Sequence, residues 1–272
     1  MQSAFAHLLQ IVAHSRTMLC NGQENSHDVH IEAGFIKSLD FVHLYEDKGA
    51  IERDVIASNT HEWLRHLRKT GHTEVLAHYF PSNSPLADWM TAGLIGGGGQ
   101  WVISTNNGRW SDYWQPKWTL SDDPHDEISK WQVEYGRVIR CNPGKPPHQA
   151  SIKSCRRSLL QSLSAIYEFS KEKNLPDFQP NFHSALDLLT DKNTIQNHIL
   201  IKYPMRSNAR RLASAAERAW VFGAQDWWND QYFDDADQTR FEKLSSNLYH
   251  DIVNSLIAAT NSTGSRWWQV IF

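Results

Sequence analysis

The chain has 272 residues, 40% of them hydrophobic and 21% charged, and a formal charge of −3. That length supports a full hydrophobic core, the composition is that of a soluble globular protein, and the charge offers no basic field to gather nucleic acid. No stretch approaches the ~20 apolar residues of a membrane span.

Phe5, Leu8, Leu9, Val12 and Leu19 share one helical face, so residues 3–20 are predicted to be an amphipathic helix, stopped by Asn21-Gly22. Its apolar part lacks a preceding positive charge and a small-residue cleavage site, so it does not read as a signal peptide. Residues 30–45 and 50–57 are read as short strands. Asn59-Thr60-His61-Glu62 has the form of a capping box and opens a helix over 60–69 that Thr70-Gly71 closes.

Strand patterns follow over 74–80 and 100–105. Asn106-Asn107-Gly108 is a hairpin signal, because Asn and Gly tolerate positive φ. Residues 110–120 form the return strand, with a break expected at Pro116. Trp131, Val133 and Tyr135 alternate with polar residues at the period of a half-buried strand. Residues 141–148, with Pro143-Gly144 and Pro146-Pro147, are the best boundary.

Beyond it the pattern is helical. Ile152, Cys155, Leu159, Leu163 and Ile166 form one stripe, 180–190 and 208–222 read as helices, and Phe241, Leu244, Leu248, Ile252 and Leu256 mark a long last one. Residues 266–272 are read as a terminal strand. The expected fold is α+β: an antiparallel sheet with flanking helices in residues 1–148, packed as one compact unit against a mainly helical half, 149–272.

Residues 89–131 hold six of the 12 tryptophans and the run Gly96-Gly97-Gly98-Gly99. The run has neither the P-loop pattern nor GxGxxG. It reads as a bulge or tight bend where glycine lets another segment approach closely, beside an aromatic wall. Arg109, Trp110, Tyr113, Trp114 and Trp118 surround the hairpin turn and suit a stacking platform for a sugar ring, a base or a cationic group. The competing reading is a buried sheet face, since large aromatics are mostly core.

Trp227, Trp228 and Asp230 lie in a second aromatic loop. Two adjacent tryptophans cannot both point inward from one element, so one of them is expected at a surface. The acids around them lack EF-hand spacing. His61 and His66 are five apart, one too many for the HExxH zinc motif, so they do not share a helix face. Cys20, Cys141 and Cys155 form neither a disulfide framework nor a metal knuckle, and unpaired thiols suit the cytoplasm. Arg206, Arg210, Arg211 and Arg218 read as a solvated face.

The resulting expectation is a cytoplasmic binding or accessory protein, with a site for a small molecule or partner protein built from Arg109, Trp110, Tyr113, Trp114, Trp227, Trp228 and Asp230. The alternative is a hydrolase using His and Asp/Glu residues, Asp126 or Glu127 first, with or without a divalent metal. A nucleic-acid binder is disfavoured, because residues 1–150 carry 13 Lys/Arg against 17 Asp/Glu. No motif names a catalytic residue, a metal, a cofactor or an oligomeric state.

Overall fold

A computed structural model describes residues 3–21, 35–121, 130–141, 150–191, 198–223 and 228–264. The fold is α+β. Its first part runs α1 (Ser3–Asn21), β1 (Ile36–Asp47), β2 (Ala50–Ala57), α2 (Thr60–Lys69), β3 (Glu74–Phe80), α3 (Asp88–Thr91), β4 (Gln100–Asn106), β5 (Ser111–Leu120) and β6 (Trp131–Cys141). The second part is helical: α4 (Ile152–Glu172), α5 (Gln179–Thr190), α6 (Ser207–Arg218), a 3-10 turn (Trp228–Asp230) and α7 (Asp235–Asn261). No helix among the described residues is long and apolar enough to cross a membrane.

The strands form one sheet in the order β2-β1-β6-β5-β4-β3. Every neighbouring pair is antiparallel except β1 with β6, so the expected antiparallel sheet is in fact mixed. Parallel neighbours need a long crossover connection, and here all of β2–β5 lies between them. The pairing is held by the side chains it aligns. Phe41 sits opposite Tyr135 and stacks on it with centroids 5.3 Å apart, while Trp63 of α2 stacks on Phe41 at 4.2 Å.

Local signals explain most element boundaries. Asn59 Oδ1 accepts the Glu62 amide at 2.8 Å. The Glu62 carboxylate reaches back to the Ser58 amide, one residue beyond the usual capping-box partner. Pro116 does not break β5. It lies where β5 has outrun β4, whose pairing covers only Ser111–Trp114, and a proline is tolerated on a strand edge. Helix α6 stops at Arg218, short of the predicted 222, and the buried Trp220-Val221-Phe222 stretch runs non-helically into the core.

The helical part is fastened to the sheet at its β3 edge. Asn261 of α7 accepts from the Ala77 amide at 2.8 Å and donates to the Ala77 carbonyl at 3.0 Å, taking the place of a neighbouring strand. Arg16 of α1 donates to the Val75 carbonyl at 2.8 Å on β3 as well. Within the bundle, Arg156 and Arg211 both donate to Leu189 O at the end of α5, where carbonyls lack helical partners. Arg211 is thus a helix cap, not part of a freely solvated stripe.

Candidate functional site

Strands β4 and β5 are joined by the Asn106–Trp110 turn. The Asn106 side chain accepts the Gly108 amide, and the Asn107 side chain accepts the amides of Arg109 and Trp110. From there the strands pair as far as Ile103 and Trp114, and then part. A cleft of about 90 Å³ lies between them, walled by Trp101, Trp118 and Pro116 and closed by Ala4 and Leu8 of α1. Gln100, Gln115 and the glycine run complete it.

The glycine run is fixed by its neighbours. Gly96, Gly98 and Gly99 have φ of +81°, +77° and +94°, which favour glycine. At Gly97, Gly98 and Gly99 a Cβ would meet Thr91, Tyr249 and the Tyr79–Asp88 pair within 3.0 Å. The Gly98 amide donates to Thr91 Oγ1 at 3.0 Å, and the Tyr249 hydroxyl donates to Gly98 O at 2.5 Å. Behind them the buried Asp88 carboxylate accepts from the Tyr79 hydroxyl, from the Ser82 hydroxyl at 2.5 Å and from the Ser82 amide at 3.2 Å. Burial, then Asp88, pushes the Tyr79 hydroxyl well above its ordinary pKa, so it stays a donor.

Trp101 stacks on Phe5 with centroids 3.8 Å apart and lies 4.8 Å from the Tyr79 ring. Its indole Nε1–H is buried and has no hydrogen-bond partner among the described residues. Trp118 is half-buried, with the His7 ring against it at 5.7 Å. Burial lowers the His7 pKa to about 4, so this imidazole is neutral at pH 7. Among the described residues no acidic, basic or histidine side chain lines the cleft. Its described walls offer aromatic faces and amides, which suit a neutral group.

The residues expected to form the site are dispersed. Arg109 and Trp110 sit together on the exposed turn, at the end of β4 opposite the glycine run. Tyr113 lies beside His78, with centroids 6.0 Å apart, on the sheet face opposite Trp114. Trp114 is 0% exposed beneath α2, against Trp63, with its indole donating to Thr105 at 3.2 Å. Trp228 is also 0% exposed, among Phe178, Phe182 and Phe241, and donates to Ser245 at 2.7 Å. Asp230 ends the same 3-10 turn on the surface.

That turn meets the glycine segment through Asn229, whose amide donates to the Trp89 and Met90 carbonyls of α3. Trp227, Asp126 and Glu127 lie outside the described residues. Sequence reasoning passed over Gln115, and it noted Trp101 beside the glycine run and Trp118 in the stacking platform without carrying either into the final site. The available signal was Pro116 inside a strand, which marks where a neighbouring ladder ends.

Among the described residues no group of three or more His, Cys, Asp and Glu side chains could hold a metal ion. The chain matches no family model, no curated protein and no solved structure.

Proposed function

We propose that the protein is a binding or accessory protein of the cytoplasm whose site is the cleft between β4 and β5. Its occupant is a neutral group with a flat or aliphatic body and a hydrogen-bond acceptor. A small molecule or a side chain presented by a partner protein fits that description. The observation that carries the reading is a wall of Trp101, Trp118 and Pro116 with the Gln100 and Gln115 side chains and, among the described residues, no ionisable group. The two glutamine amides supply donors and acceptors that orient such a group. The three free cysteines suit a reducing compartment.

Ligand-observed NMR tests this with neutral monosaccharides and small amides, set against charged analogues of similar size. Neutral acceptor-bearing ligands should bind wild type and should lose binding in Trp118→Ala, whose melting temperature should change little. Equal binding by wild type and Trp118→Ala, or a preference for charged ligands, would reject the cleft as the site.

A further inference from the structure

The ionisable side chains gather at the opposite end of β4 and β5, around Asp112. Its side chain is 1% exposed. Arg140 Nε and Nη2 donate to its two oxygens at 2.7 and 2.8 Å, and Arg137 Nη1 lies 3.5 Å away. Residues three apart on a regular strand face opposite sides of the sheet. Here Tyr113 pairs with Ile139 and Trp114 with Arg137, so β6 carries one extra residue, and that bulge turns both arginines onto Asp112.

Three imidazoles face the same cluster from other elements. His72 Nε2 is buried, without a hydrogen-bond partner among the described residues, 3.7 Å from Asp112 Oδ2. Its Nδ1 is 2.8 Å from Thr70 Oγ1. His43 of β1 stands opposite Arg137 on one side and Asp54 on the other. His66 comes from α2. Two guanidinium groups therefore meet one buried carboxylate, with half-buried His43 and His66 at the margin. Burial, then the two arginines, lowers the His43 pKa; burial, then His72 and Arg137, lowers that of His66. Asp54 and Asp112 are the opposing charges on His43. The fork to Asp112 leaves Nη1 of Arg140 over, and that side chain is 46% exposed.

We propose that Arg137, Arg140, His43 and His66 form a binding site for an oxyanion of the phosphate class, separate from the neutral cleft. Guanidinium groups match such an anion with paired donors. Asp112 pre-orients them and offsets one of their two positive charges, and Asp54 faces the site through His43. A bound anion favours imidazolium, so the pKa of His43 and His66 must rise on binding, and the affinity for the ligand's monoanion, once its own protonation near pH ~6 is factored out, must increase as pH falls from 7 to 5.

The test is a titration of the imidazole 1H–15N correlations with inorganic phosphate, methyl phosphate and, at matched ionic strength, sodium chloride. Saturable movement of His43 and His66 with either phosphate, and not with chloride, is expected. Tighter binding of methyl phosphate would indicate an esterified ligand, and tighter binding of inorganic phosphate the free ion. Arg137→Gln should weaken binding at least ~10-fold. Should that variant not fold, His66→Gln, which leaves every Asp112 partner in place, should flatten the pH dependence of affinity between 7 and 5. Equal shifts with chloride, unchanged affinity in Arg137→Gln or unchanged pH dependence in His66→Gln would overturn the proposal.

Discussion

Asp88 and Asp112 are both buried carboxylates of the sheet-containing part, and they are held in opposite ways. Asp88 accepts from two hydroxyls and an amide, all neutral. Asp112 is held by two guanidinium groups and faces an imidazole. Neutral donors fix a position and leave the neighbouring cleft without a cation of its own. Cationic donors fix a position and leave surplus positive charge beside it. The same side chain thus stands behind a neutral site at one end of β4 and β5 and a charged one at the other.

The largest effect should come from removing the charged anchor. Asp112→Ala leaves Arg137 at 10% exposure with neither its ion pair nor full hydration. Breaking a buried pair in this way costs about 3–5 kcal/mol, which urea denaturation at pH 7 would measure. Burial alone would raise the Asp112 pKa, but the Arg140 hydrogen bonds, the His72 imidazole beside it and the arginine charges outweigh that and hold the carboxyl well below the usual carboxylate range. Its stabilising contribution is therefore complete above the unfolded-state pKa of ~3.9 and is lost as pH falls further, because the unfolded state then binds the extra proton first. The stability difference between wild type and Asp112→Asn should be widest near pH 6 and should shrink below pH 4. A difference that stays constant down to pH 2 would mean that Asp112 acts through packing alone.

Removing the neutral anchor should cost less. Asp88→Ala strands the Tyr79 and Ser82 hydroxyls, and unpaired buried groups of this kind cost ~1–3 kcal/mol each before relaxation. About 2 kcal/mol is expected, with little dependence on salt. A loss equal to that of Asp112→Ala would erase the distinction between the two anchors.

How far the sequence discloses these sites depends on whether the signal is local. The Asn59 cap, the α4 stripe and the 74–80 strand follow from spacing along a few residues, and the structure has each of them. The glycine run beside Trp101 pointed to a close backbone approach, and three of its glycines make one. Pairings between distant segments leave no such mark. The parallel β1–β6 ladder and the bulge that brings Arg137 and Arg140 together are set by register, which no window of sequence contains. The tryptophans are the sharpest case. Trp110, Trp114 and Trp118 share a four-residue spacing, yet one lies on an exposed turn, one in the core and one on the cleft wall. Spacing assigns a face, whereas burial depends on what packs there.

Effects no larger than that of Asp88→Ala should come from the glycine run packed on Tyr79 and Asp88, where two adjacent glycines separate the possible causes. Gly96 has positive φ and open space where a Cβ would go. Gly96→Ala should therefore cost only the left-handed backbone penalty of ~1 kcal/mol. Gly97 lacks a positive φ, but its Cβ would press on the Thr91 carbonyl. Gly97→Ala forces the run away from α3, for which overpacking figures give ~2 kcal/mol, and it should also weaken any ligand of the cleft. Thermal melts of the two variants, paired with the NMR binding assay, read both effects. If Gly96→Ala proves the more damaging, the run serves backbone conformation rather than close approach, and the cleft is not held by contact with Asp88 and its neighbours. If Gly97→Ala destabilises the fold yet leaves binding intact, the rigidity of the loop belongs to folding, and the ligand reads only the tryptophan wall.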